Sequence, residues 1–216
     1  MTNGARPSDE GSITVAGTGR VAVVPDVADL HLGVSIVRPT VEAARAEAAT
    51  TMAAILAAVE ATGLTPRDIR TTTVSVQPRY EYRDNRPPKL AGYELVNGAA
   101  IVIRDLAHLG AVIDGALNAG ATSMDRLSFR VANHEPVERE ARQLAMAAAR
   151  ARADVLAESA GLSIVGVSDI VEGVATPPPW PRMKAERTAL AADAATPVEA
   201  GETEISVTVT VTYRAS

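Results

Sequence analysis

The chain has 216 residues, of which 47% are hydrophobic and 22% charged, which is typical of a globular protein with one domain or two small ones. A formal net charge of −5 disfavours a dedicated nucleic-acid-binding protein, because such proteins usually carry a basic surplus. The absence of cysteine excludes disulfides, thiolate nucleophiles, zinc sites with cysteine ligands and iron–sulfur clusters.

Residues 1–11 predict a flexible N-terminus, because they are polar and contain glycine and proline. They lack the apolar stretch of a secretory signal. Nor does the chain contain an apolar run long enough for a transmembrane helix. For the chain as given we therefore expect a soluble, cytoplasmic protein with no membrane span.

Two strands open the predicted fold, at residues 12–24 and 27–37, separated by the turn signal Pro25-Asp26. Strands joined this closely are expected to pair as a hairpin. In the second strand, large aliphatic residues alternate with polar or small ones, so that one face is directed to the core: Leu30, Leu32, Val34 and Ile36.

A long helix then begins at Pro39-Thr40 and ends before Gly63, because apolar residues recur at helical spacing between them. Strands follow at 70–82 and 92–103. In the first of these strands four large side chains are predicted to share a face: Val74, Val76, Tyr80 and Tyr82.

The second half predicts a short helix from Asp105 to Gly120, a strand at 127–131, a helix at 135–160 closed by Gly161, a strand at 165–172, a proline-rich loop at 175–201 and a last strand at 205–213. The order is ββαββ followed by αβαββ. It predicts an α+β fold in which long, alanine-rich helices pack on mixed or antiparallel sheets. We expect a single domain over 12–214, with subdomains at about 12–104 and 105–214.

Alanine accounts for 41 residues, and in the longest predicted helix it recurs every fourth position at Ala141, Ala145, Ala149, Ala153 and Ala157. Residues four apart lie on one face of a helix, so a row of methyl groups allows a close approach to a neighbouring element. We expect a closely packed helix; the alternative is a groove for a specific partner.

No catalytic constellation is found. The sequence Gly17-Thr18-Gly19 continues as strand where a phosphate-binding loop would start a helix, so a bulge or a strand crossing is expected there. The spacing of His31, His108 and His134 fits no metal motif, and Asp26 and Asp29 are interpreted as a cap and a surface charge. We predict no metal and no cofactor.

The last strand supplies the predicted interaction surface. Outward-facing Thr208, Thr210 and Thr212, with the backbone amide of Val209, suit pairing with a second copy if this strand has a free edge. Trp180, in the proline-rich loop, is either part of a polyproline ligand or a cover for a sheet edge.

Short signatures in a fixed order carry a resemblance to a known family. They are ITVAGTG at 13–19, PDVA at 25–28, DIRT at 68–71, VQPRY at 76–80, GY at 92–93 and the alanine-rich helix that ends before Gly161. Over about residues 12–213 the chain resembles the SIMPL family. The resemblance implies a non-enzymatic α+β protein that self-associates, with no family catalytic residues.

Bacterial members of that family are often exported to the periplasm or cell envelope, some assemble into rings, and eukaryotic members are named for association with a signalling kinase. If the N-terminus was trimmed, the resemblance implies a periplasmic or envelope location for this chain as well.

The predicted function is therefore a binding or scaffold protein, not an enzyme, that works as a homo-oligomer. A dimer is favoured and a ring is the other possibility. Two alternatives are open: a small-molecule carrier, which requires an enclosed apolar cavity, and a small hydrolase, which requires a deep pocket gathering His31, Asp29 and Arg79. No nucleic-acid partner is predicted.

Overall fold

A computed structural model of the chain describes residues 11–82, 87–173 and 196–216. These residues form seven strands and three α-helices: β1 (Gly11–Val23), β2 (Val27–Arg38), α1 (Val41–Glu60), β3 (Ile69–Glu81), β4 (Lys89–Ile103), α2 (Leu109–Asn118), β5 (Ser123–Arg130), α3 (Glu135–Ala160), β6 (Ile164–Glu172) and β7 (Thr203–Ala215). The α+β class and the order of elements are confirmed, and all strand pairs in these residues are antiparallel.

The chain divides into two compact units. Of the described residues, unit 1 comprises 11–24, 133–173 and 201–216, and unit 2 comprises 25–82, 87–132 and 196–200. This division differs from the subdomains expected at 12–104 and 105–214, because the first strand and the last one belong to the same sheet.

The predicted hairpin between the first two strands is wrong. β1 pairs instead with β7 along its whole length, from Gly11 opposite Ala215 to Val23 opposite Thr203. Within unit 2, the Asp26 amide donates to the Arg130 carbonyl, and the Asp26 carboxylate accepts from the Ala132 amide at 2.6 Å. β2 consequently begins in a different sheet.

Unit 1 is a three-stranded sheet, sheet A, in the order β1-β7-β6, with α3 packed on one face. The alternation predicted for the last strand, with Ile205 as its first inward residue, is confirmed at Val207, Val209, Val211 and Tyr213, which are buried against α3. Ile205 is only half-buried. The complete alanine row of α3 is buried in this unit. Close packing of the helix is therefore confirmed, and the row does not form a partner groove.

The Gly17-Thr18-Gly19 sequence lies where α3 comes closest to β1. The register with β7 runs through it without a bulge, so the expected bulge is wrong. A Cβ atom added at Gly17 would lie within 3 Å of three atoms of α3, among them the Ala149 nitrogen at 2.5 Å. Glycine is needed here so that the helix backbone can rest directly on the strand.

Unit 2 contains the order β-α-β-β-α-β, and its four-stranded sheet, sheet B, has the order β3-β4-β2-β5. This is the split β-α-β topology of ferredoxin-like folds. Helices α1 and α2 share the core on one face, where Leu30, Leu32 and Val34 are buried as predicted. Thr40 caps α1, since its hydroxyl accepts a hydrogen bond from the Ala43 amide at 3.2 Å.

In the parts of the chain described, no helix has both the length and the apolar character needed to cross a membrane.

Candidate interaction surface

The threonines predicted to form an interaction surface lie on the open face of sheet A, opposite α3. Thr212 hydrogen-bonds to the Thr14 hydroxyl at 3.0 Å, and Thr208 to the Thr18 hydroxyl at 3.1 Å. Thr210 lies between them and is exposed. The Val209 side chain points the other way, into the core, and is 3% exposed. Trp180 lies outside the described residues.

The backbone of β7 does not supply the free edge that the predicted pairing needs. β1 occupies one side of β7 throughout, and β6 occupies the other side from Val209 to Ala215. The Val209 amide is therefore within a central strand. The threonine face stays a prediction, but an edge contact between copies must use another strand.

The edge strands of the two sheets are β1 and β6 in sheet A, and β3 and β5 in sheet B. The β1 edge is partly closed, because the Arg152 guanidinium donates a hydrogen bond to the Ala16 carbonyl. Bulges interrupt β6 twice, so its longest regular pairing is Asp169–Glu172. β5 has only eight residues. Short and bulged edges resist pairing with a further strand.

Among the described residues, β3 has an exposed edge. It spans 13 residues and is exposed over most of its length, and it pairs regularly with β4 from Thr73 to Arg79, between irregularities at Thr71/Thr73 and Arg79/Tyr80. Its large side chains, which we call the β3 edge cluster, are exposed to 66% at Val74, 42% at Val76, 49% at Tyr80 and, just beyond the strand, 78% at Tyr82. Free backbone groups beside exposed apolar side chains are a template for another strand.

A groove of about 540 Å³ lies between β1 and α3 in unit 1. Its lining is apolar apart from Arg152, and includes Val155 and Leu156 of α3, which are both exposed. It is therefore open at the protein surface and differs from the enclosed cavity that the carrier alternative requires.

The residues that the hydrolase alternative requires are not gathered. His31 lies level with Ala100 of β4, whereas Arg79 lies level with Gly92, eight positions along the same strand. At about 3.3 Å per residue this corresponds to roughly 26 Å. Asp29 forms an ion pair with Arg130 at 2.7 Å, and Arg79 lies 3.5 Å from the Glu94 carboxylate.

A second pocket, of about 280 Å³, is lined partly by Asp68, Arg104, Asp105 and His108 of unit 2. The pKa of Asp68 lies below its ordinary value, because the Thr65 hydroxyl and then the Arg104 guanidinium donate hydrogen bonds to its carboxylate. His108 Nδ1 lies 3.1 Å from Asp105. These pairings hold the turn before β3 and the one before α2. Across the described ranges, no group of three or more candidate side chains is arranged to hold a metal ion.

The Asp68 interactions predict a pH-dependent contribution to stability. A carboxyl whose folded pKa is depressed adds stability above its unfolded pKa, and that contribution is lost as the pH falls through the folded value. We expect Asp68→Asn to lower the urea midpoint at about pH 7 and to differ less from the parent chain at about pH 3. Asp125→Asn, at an exposed position, is the control and should show no such convergence. An equal difference at both pH values would contradict the prediction.

The chain is similar to a known protein family and to named bacterial proteins. Residues 13–213 match the model of a family described as SIMPL, protein of unknown function (DUF541). The 26 kDa periplasmic immunogenic protein of Brucella melitensis is 32% identical over 208 residues, which cover 93% of this chain and 83% of the relative. The protein named uncharacterized protein YggE of Escherichia coli K12 is 30% identical over 191 residues, which cover 88% and 75%.

Proposed function

The chain belongs to the SIMPL family, and from this premise we propose that it is a non-enzymatic binding or scaffold protein that self-associates through the β3 edge. The observation that carries the proposal is the exposed β3 strand, which pairs regularly with β4 from Thr73 to Arg79, together with its cluster of apolar side chains. Neither relative described above is named for an enzymatic activity.

The geometry of strand pairing favours a dimer. When β3 of one copy pairs antiparallel with β3 of another, the same surface is used twice and the assembly closes with two-fold symmetry. The four strands of sheet B then become half of an eight-stranded sheet. A ring requires two different surfaces, for example β3 against the β6 edge of the next copy.

We place this function in the periplasm. The Brucella relative is named a periplasmic protein, and the sequence has no cysteine whose oxidation would have to be controlled in an oxidising compartment. The cytoplasmic location expected for the chain as given has no support from these relatives.

The test is the mass in solution at micromolar concentration, measured by light scattering coupled to size-exclusion chromatography. We expect the parent chain at twice its 22.4 kDa. The double variant Val74→Lys, Val76→Lys should elute as a monomer, because two ammonium groups on the edge repel their counterparts and oppose strand pairing.

The matched control is Val24→Lys, Leu117→Lys, at positions exposed to 62% and 46% and outside the edge strands. It should keep the parent mass. A monomeric parent chain would overturn self-association. Dissociation by Thr210→Lys but not by the β3 variant would instead assign the contact to the threonine face of sheet A, and would contradict the β3 edge.

A further inference from the structure

The open face of sheet B carries a row of basic side chains that comes from three of its four strands. In the strand register, Arg70 of β3 is opposite Ala100 of β4, Ala100 is opposite His31 of β2, and His31 is opposite Arg126 of β5. The buried neighbours Leu30, Leu32 and Ile101 face the helices, so the row faces away from them.

Beside the centre of this row, sheet B has a shallow floor made by residues without large side chains. Gly33 and Gly98 are opposite each other, two positions along the strands from His31 and Ala100. The Thr72 hydroxyl oxygen lies 3.3 Å from where a Cβ of Gly98 would be, and the Ser123 hydroxyl oxygen lies 3.3 Å from that position at Gly33. Two hydroxyl groups therefore border the glycine floor.

Both arginines at the ends of the row are exposed and have no ion-pair or hydrogen-bond partner among the residues described. The nearest acidic group on β2, Asp29, is occupied by Nε and Nη2 of Arg130. On β4, Glu94 is bound by Arg79 and by the Ser35 hydroxyl. Asp125, in the β5 bulge, is the one carboxylate next to the row in sequence. The row therefore has a positive surplus in a chain whose net charge is −5.

The spacing of the row sets the size of an anion that it can bind. Neighbouring strands are about 4.8 Å apart, so the Cα atoms of Arg70 and Arg126 are about 14 Å apart across three strand spacings. An extended arginine side chain reaches about half of that distance. Two guanidinium groups can thus converge midway along the row, between Ala100 and His31, on a ligand with two adjacent oxyanion groups, and each can donate a pair of hydrogen bonds.

We infer that the open face of sheet B is a binding site for a small molecule with two adjacent oxyanion groups, of which a diphosphate is the simplest. Arg70 and Arg126 hold the two anionic groups, His31 lies beneath them, and the Thr72 and Ser123 hydroxyls are the further donors. The row contains no Phe, Tyr or Trp side chain, and the small imidazole of His31 is its one ring against which a nucleobase could stack. This feature favours a small anion over a single-stranded nucleic acid.

The test is titration of the full chain with pyrophosphate, followed by isothermal calorimetry and by amide shifts in ¹⁵N-labelled protein. Inorganic phosphate, succinate and a short oligouridylate are titrated separately for comparison. We expect the largest shifts at Arg70, His31 and Arg126, and weaker binding of phosphate, which reaches only one guanidinium. Binding of succinate with the affinity of pyrophosphate would identify the source of the oxyanions as a dicarboxylate and would support the same site.

Loss of either guanidinium should weaken pyrophosphate binding about tenfold, as expected for one charge-assisted contact. Arg70→Ala and Arg126→Ala test the two ends. Ala100→Glu places a carboxylate within the row and should abolish binding. Arg45→Ala is the matched control: it removes the same charge from an exposed position on α1, which packs on the opposite face of sheet B, and should leave the affinity unchanged.

Equal weakening by Arg45→Ala and Arg70→Ala would overturn the site, since only the net charge would then matter. Amide shifts outside sheet B on titration with pyrophosphate would also overturn the site. Much tighter binding of the oligouridylate than of pyrophosphate would overturn it as well. The arginine variants change exposed side chains, so they test the site even if Ala100→Glu fails to fold. The monomeric Val74→Lys, Val76→Lys variant should still bind pyrophosphate, so failure of self-association and failure of anion binding can be told apart.

Discussion

Gly17→Ala should destabilise unit 1 by about 3 kcal/mol or more, at the upper end of the cost of overpacking a core. The added methyl group would lie 2.5 Å from the Ala149 nitrogen and 2.8 Å from the Ala149 Cβ. Two of the nearby atoms belong to the helix backbone, which cannot rotate away as a side chain can. The only relief is to move α3 off β1, and this movement opens the contact along the whole alanine row.

Urea unfolding followed by circular dichroism measures this cost. Gly173→Ala is the control in the same unit, because a Cβ there meets only the Thr208 carbonyl at an ordinary 3.5 Å. We expect that variant to unfold within about 0.5 kcal/mol of the parent chain. If the two variants had the same unfolding midpoint, the close approach of α3 to β1 would be contradicted.

The two elements that meet in the core of unit 1, α3 and β7, are both predicted by local sequence signals. The helix predicted at about 135–160 agrees with α3, Glu135–Ala160, because local residues mark its two ends. Pro136 lies in the first turn, and Gly161 adopts the left-handed conformation with φ 71° that commonly ends a helix. The alternation of β7 likewise identifies its buried face. These signals act within a few residues, so one sequence suffices to detect them.

The partner of a strand is not encoded in this way. β1 and β2 are separated by three residues and look like a hairpin, yet β1 pairs with a strand almost 200 residues later. The relevant signal is the glycine pair in β1, from which the sequence alone predicts a bulge or a strand crossing. Its complement is the alanine row on α3, and only the two together indicate that β1 lies beneath that helix.

The β3 edge cluster and the basic row of sheet B also differ in how far the sequence alone predicts them. The exposed β3 cluster follows from the alternation of Val74 and Val76, but its exposure depends on β3 being at the edge of sheet B, which the order of elements alone does not specify. The basic row could not be predicted at all. Arg70, His31 and Arg126 come from three separate strands, and only the register brings them level.

Val211→Asp should unfold sheet A. Val211 is 0% exposed, lies opposite Val15 of β1 and Ile170 of β6, and packs in the core beneath α3. A carboxylate at this position has no described cation within the core to pair with, and burying an unpaired charge costs several kcal/mol, which is a large part of the stability of a typical domain.

Hydrogen exchange read strand by strand is the measurement for this variant. We expect β1, β7, β6 and α3 to lose protection together, whereas β2 and β4 keep theirs, because the core of unit 2 contains no residue of unit 1. Val165→Asp is the matched control, since Val165 is 56% exposed on the β6 edge, and it should retain protection throughout. If Val211→Asp left β1 protected, β7 would not be the central strand of sheet A. The central position of β7 is also the reason that the contact between copies is sought at β3.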